Sequence, residues 1–100
     1  MFEHIVLLKL KPSVTIDEQE EVVKYTYTFK ETIQGIVDIS AGINITEEME
    51  HKHGYTIGIR ITFADQQACR DYIQHPQHQT FLKRISPIVE GIVIMDYPFA

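Results

Sequence analysis

Tryptophan is absent from this sequence, and cysteine occurs once, at Cys69. A lone cysteine cannot close an intrachain disulfide, which fits a reducing compartment. Basic residues are few and scattered. Lys and Arg number 9 against 14 Asp and Glu, and the densest basic spot is Lys83-Arg84. That argues against nucleic acid as a partner, because such binding rests on many phosphate contacts. It argues equally against a polybasic membrane patch. No apolar run approaches the roughly 20 residues of a membrane span, and Met1-Phe2-Glu3-His4 lacks the basic start of a signal peptide. A cytoplasmic location is the expectation. Also missing are a Gly-rich phosphate loop, a Cys-x-x-Cys pair and a Ser-His-Asp spacing. No cofactor is expected. No repeat, low-complexity tract or linker interrupts the chain.

What is there reads as one domain over residues 1–100. The residues are 44% hydrophobic with a formal net charge of -5, a globular balance rather than a disordered one. A chain of this length buries a modest share of its unfolded surface, so a partner surface would help it.

Phe2 to Leu10 reads as a strand with Phe2, His4, Val6, Leu8 and Leu10 on one face. Ile5 and Leu7 share the other face with Glu3 and Lys9, so both faces need some cover. Thr15-Ile-Asp-Glu18 has capping-box form. Ile16, Gln19, Val22, Val23, Thr26, Phe29 and Ile33 then recur at helical spacing. Tyr25 to Phe29 prefers a strand locally, but periodicity and the cap predict a helix, stopped at Gly35. Ile36 to Thr46 alternates, with Val37, Ile39, Ala41, Ile43 and Ile45 on one face. Residues 47–54 form a polar loop.

Tyr55 to Phe63 alternates again, with Tyr55, Ile57, Ile59, Ile61 and Phe63 together. Asp65 suits the N-cap of a short helix carrying Ala68, Cys69, Tyr72 and Ile73. His75-Pro76 breaks it and starts another, since proline suits a first helical turn. That helix carries Phe81, Leu82 and Ile85 and stops before Pro87. Ile88 to Tyr97 is a last strand, apolar at nearly every position.

The order β-α-β-β-α-(α)-β predicts an α+β fold of split βαβ, ferredoxin-like type. Helices on one face of the sheet leave the other open, with Ile5, Leu7 and part of the last strand on it. An apolar open face calls for a partner. Pairing with a second copy by a twofold axis gives a dimeric α+β barrel.

Four segments, His4-Ile-Val-Leu-Leu-Lys-Leu-Lys-Pro12, Gly54-Tyr-Thr-Ile-Gly-Ile-Arg-Ile-Thr-Phe63, Asp71-Tyr-Ile-Gln-His-Pro-Gln-His78 and Asp96-Tyr97, together resemble the stress-responsive A/B barrel (Dabb) family. The Tyr-x-x-His-Pro-x-His segment is the most specific. The resemblance implies a ferredoxin-like protomer in a dimeric barrel. Many family members have no assigned activity, and some plant members are stress-induced and very stable. A few plant members are polyketide cyclases that close a ring by aldol condensation without a cofactor. A Tyr and a His of that segment serve the reaction there, and they match Tyr72 and His78. The cyclases carry a further histidine where this chain has Ile57, which implies a more apolar pocket. Haem-degrading monooxygenases share the dimeric barrel, but this chain carries no haem-box signal.

His4, Ile57, Tyr72, His75 and His78 are the expected border of a pocket for a small apolar or phenolic ligand. If the pocket is catalytic, His78 is the general base and Tyr72 steadies a developing oxyanion. The architectural alternative has His75 and Pro76 capping a helix and Tyr72 and His78 bonded to backbone. A pocket filled by Phe29, Ile57 and Phe81 would leave no room for a ligand at all. No metal site is expected. His75 and His78 lack a third ligand beyond Asp71, and His51 and His53 lie in a charged loop with Glu47, Glu48 and Glu50. Cys69 is expected as a small buried residue.

Overall fold

The computed structural model describes all residues from Met1 to Ala100. Strand β1 (Phe2–Leu10) leads to helices α1 (Ile16–Tyr27) and α2 (Phe29–Thr32), then strand β2 (Ile36–Ile43). A 3-10 turn at Met49–His51 precedes β3 (Tyr55–Phe63). Helices α3 (Gln66–Gln74) and α4 (Pro76–Ile85) follow, and a 3-10 turn at Ser86–Ile88 enters β4 (Val89–Pro98). The sheet order is β2-β3-β1-β4 with every neighbouring pair antiparallel, the α+β, ferredoxin-like arrangement.

Local chemistry sets the helix starts. The Glu18 N–H donates to the Thr15 hydroxyl at 3.1 Å and the Thr15 N–H donates to the Glu18 carboxylate at 3.1 Å, a complete capping box. Asp65 accepts from the Ala68 N–H at 2.9 Å and caps α3. Gly35 turns the chain into β2 at φ +90, where a Cβ would lie 2.6 Å from the Ala68 Cβ. Only glycine meets both demands there.

Four expectations need correction. The helix from Ile16 does not run unbroken to Ile33; it stops at Tyr27, with Thr28 as cap between α1 and α2. The hydroxyls of Thr26 and Thr28 donate to the carbonyls of Val23 and Tyr25, each at 2.6 Å, competing with the helix for those acceptors. The second strand ends at Ile43 rather than Thr46. Asn44 ends it by donating to the Tyr55 carbonyl and accepting the Thr46 N–H, which turns the chain and leaves Ile45 89% exposed. Val37 leaves the alternation because the register slips between Ile36 and Asp38, so its side chain is exposed. Ile88 lies in the 3-10 turn before β4.

The core lies between the helices and the covered face of the sheet. Leu8, Ile57, Ile61, Phe63 and Phe29 are its most enclosed large side chains. On the open face, Thr62 Oγ1 donates to Glu3 Oε1 at 2.5 Å, and Arg60 donates to Thr62, Ser40 and Asp38. Farther along this face the sheet turns apolar, with Leu7 paired to Val93 and Ile5 to Met95. Leu7, Val93 and Met95 are exposed. At the outer edge of β2 the Tyr27 hydroxyl lies 3.1 Å from both the N–H and the carbonyl oxygen of Ala41. No helix is long and apolar enough to cross a membrane.

Candidate functional site

Strand register brings the first two polar groups together. His4 on β1 is opposite Asp96 on β4 and Ile61 on β3. Residues at matching positions of adjacent strands point to the same face, here toward the helices. Asp96 Oδ1 lies 2.5 Å from His4 Nδ1. A carboxylate at Nδ1 holds the proton there and leaves Nε2 as the free nitrogen.

The helices supply the other two. Tyr72, on the buried side of α3, is 3% exposed, with its ring 5.2 Å from Phe63, 5.7 Å from His4 and 5.8 Å from Phe29. Burial pushes its phenol well above the ordinary range, so the hydroxyl stays protonated and able to donate. The chain then turns at His75-Pro76 into α4. That turn folds His78 back onto Tyr72, ring centroids 4.2 Å apart and 34° from parallel. His78 Nδ1 lies 3.1 Å from the Ile73 carbonyl oxygen. A carbonyl only accepts, so neutral His78 carries its proton on Nδ1 and presents Nε2 as an acceptor or base. Burial lowers the His78 pKa below 6.5, against the opposing pull of that carbonyl bond.

His4, Tyr72, His78 and Asp96 share one cavity of about 320 Å³ between the sheet and α3–α4. Its remaining wall is apolar, from Val6, Leu8 and Ile59 on the sheet, Ile73 on α3, Phe81, Leu82 and Ile85 on α4, and Ile92 and Ile94 on β4. Ile92 and Ile94 are 47% and 57% exposed because the helices stop short of the β4 edge, so the cavity opens on that side. An apolar chamber with a few converging polar groups suits a small, mostly apolar molecule bearing one or two oxygens.

Of the five residues expected at the pocket, His4, Tyr72 and His78 meet there. Ile57 does not line it. It pairs with Leu8, one step farther from His4 than the Ile59–Val6 pair that does, and is 1% exposed. His75 points to its own backbone, its Nδ1 accepting the Gln77 N–H at 3.1 Å as the N-cap of α4. The architectural reading therefore describes His75. It describes one nitrogen of His78 and leaves the other. Phe29 is wholly buried and Phe81 lines the wall, yet together they leave the cavity open. His51 and His53 are both exposed on their loop.

Sequence reasoning missed Asp96 as a site residue. The signal was its place as a carboxylate in a nearly all-apolar strand, in the register that sets it against His4. Cys69, one turn before Tyr72, is 3% exposed, and burial and Asp96 push its thiol up to about 11. One ligating atom each of His4, Cys69 and Asp96 lie within 4.8 Å of one another.

The family model for the Stress Responsive A/B Barrel Domain, Dabb, matches residues 2–99. Olivetolic acid cyclase of Cannabis sativa is 30% identical over 95 residues, covering 95% of this chain and 93% of the cyclase. A solved Arabidopsis thaliana structure superposes with a TM-score of 0.88 at 24% identity, over 100% of this chain and 96% of that one. A dimeric protein of unknown function and ferredoxin-like fold from Bacteroides fragilis gives a TM-score of 0.80 at 24% identity, over 98% and 95% of the two chains.

Proposed function

This chain belongs to the stress-responsive A/B barrel (Dabb) family, and from that premise we propose that it is a homodimeric protein that binds a small apolar or phenolic molecule in the cavity between sheet and helices. One observation carries the reading: the cavity of about 320 Å³ is apolar except where His4, Asp96, Tyr72 and His78 converge. The ligand's apolar body packs on Ile59, Leu82 and Ile94. Its oxygen takes a hydrogen bond from the Tyr72 hydroxyl, and a phenolic O–H donates to His78 Nε2. The dimer follows from the apolar half of the open sheet face, where Leu7, Val93 and Met95 lack cover within the chain. The dimeric ferredoxin-like relative supports it.

The experiment is a titration of the purified protein with alkyl-substituted phenols and aryl ketones, followed by calorimetry and by thermal midpoint. Saturable binding that is lost when Leu82→Trp fills the cavity supports the reading. Absence of any saturable binding across the panel removes it.

A second reading turns the same cavity to cofactor-independent, aldol-type ring closure. It is favoured by the Ile73 carbonyl at His78 Nδ1, which frees Nε2 for proton abstraction. Nε2 takes a proton from the carbon next to a substrate carbonyl, and Tyr72 donates a hydrogen bond to the enolate oxygen. The enolate carbon attacks a second carbonyl of the same molecule, and the imidazolium returns its proton to the new alkoxide. The likeness to the cyclase supports this reading as well. Turnover of a linear polyketide by the wild type, absent in His78→Ala, separates catalysis from binding alone.

A further inference from the structure

We propose that His4, Cys69 and Asp96 form a binding site for one thiophilic divalent transition-metal ion of the zinc class. The three side chains come from β1, α3 and β4, dozens of residues apart in sequence, and one ligating atom of each falls within 4.8 Å of the others. An imidazole nitrogen, a thiolate sulfur and a carboxylate oxygen are the donors that such ions take. His4 and Cys69 are 4% and 3% exposed, so packing already fixes two of the three. Tetrahedral zinc with ligands at about 2.0–2.3 Å holds its donor atoms roughly 3.3–3.8 Å apart. The donors present fall within 4.8 Å of one another, and the His4–Asp96 pair is closer than that spacing.

Two adjustments are required, and the first is that the proton on His4 Nδ1 moves to Nε2 so that Nδ1 can ligate. His4 Nδ1 and Asp96 Oδ1 stand 2.5 Å apart as hydrogen-bond partners, too close for two ligands of the same ion. They must separate by about 1 Å for both to coordinate. Asp96 is the member free to move, since it lies on the edge strand with its side chain 35% exposed. Charge favours the ion. The Cys69 thiol, which burial and Asp96 push up to about 11, gives its proton to solvent as the ion binds; a neutral imidazole, a thiolate and a carboxylate then carry two negative charges, and a divalent cation cancels them. The bound site therefore buries no net charge, which an apolar surrounding requires. His4 and Asp96 also line the cavity, so an ion held between them would border it. This inference does not rest on the ligand reading above; a metal site here stands or falls by its own donors.

The test is cobalt titration of reduced, chelator-stripped full-length protein, since cobalt reports its ligands in its spectrum. The expected result is one cobalt per chain, with thiolate-to-cobalt absorption in the near ultraviolet and strong visible bands of a four-coordinate ion. Zinc should displace it. Cys69→Ala keeps an apolar side chain in the core and should lose the near-ultraviolet band. Asp96→Asn should keep the fold, checked by circular dichroism, and weaken cobalt affinity by about 10-fold or more. Saturating cobalt without a thiolate band overturns the proposal. So does a spectrum unchanged in Cys69→Ala, which would place the metal on the exposed histidines His51 and His53.

Discussion

His78 Nδ1 is committed to the carbonyl oxygen of Ile73, 3.1 Å away and one turn back across the helix break. That single bond sets the tautomer and orientation of the ring at the cavity wall. Burial places the His78 pKa below the ordinary 6.5, outweighing the carbonyl's help to the charged form.

A pH dependence follows. The folded protein holds His78 neutral where the unfolded chain, titrating near 6.5, already binds a proton. Between those two values the unfolded state carries more protons, so stability rises with pH through that window. Above pH 6.5 the term is absent, and it destabilises the fold as pH falls below it. Imidazole titration by NMR should show one histidine with a depressed midpoint, missing in His78→Gln. A His78 midpoint at or above the ordinary value would contradict the assignment.

Tyr72→Phe keeps the ring that packs on Phe63 and Phe29 and removes only the hydroxyl. Stability should change little. Affinity for an oxygen-bearing ligand should fall about 3- to 10-fold, the worth of one neutral hydrogen bond. Calorimetry on wild type and variant decides it. Equal affinities would mean that the hydroxyl does not touch the ligand.

If the cavity is catalytic, His78→Ala should lower turnover by about 10²-fold or more with the fold intact. Steady-state rates at saturating substrate are the measure. A rate within a few-fold of wild type would remove His78 as the base.

Phe29 is wholly buried and meets Tyr25, Tyr72 and Phe81 edge-on. Phe29→Ala should destabilise the protein by about 3–5 kcal/mol. Urea unfolding measures it, and a loss below about 1 kcal/mol would be inconsistent with a packed core at this point.

Leu7 and Val93 pair across β1 and β4 on the open face. Glutamate at both would set like charges side by side and in the middle of the proposed dimer interface. Light scattering should then report a monomer. A double variant that stays dimeric would move the interface elsewhere.

Much of this was legible in the sequence, and the reasons differ by element. The capping box at Thr15 and the cap at Asp65 involve residues three apart, so local pattern suffices. The alternation of Tyr55 to Phe63 survives because β3 is a central strand, paired along both sides. Edge strand β2 is less constrained, and its bulge at Val37 and its turn at Asn44 left no mark on the hydrophobic pattern. The break at Thr28 was foreshadowed by the Tyr25–Phe29 run, whose preference against helix prevailed once hydroxyls took its carbonyls. In the cavity, Tyr72 and His78 lie within one short segment and could be found together. Asp96 reaches His4 only through pairing of the first strand with the last, a relation that spacing does not encode. Ile57 and Ile59 share a face, and only the β1–β3 register decides which of them borders the cavity.

The Tyr27 hydroxyl bridging both polar groups of Ala41 bears on how copies of this chain can assemble. A sheet with two bare edges accepts a neighbour on each side and can grow into a ribbon without limit. Here a side chain from the same molecule occupies the middle of the β2 edge, while β4 forms the other edge of the sheet. Edge-on growth therefore has one direction per copy, and two copies that meet through it leave no edge for a third.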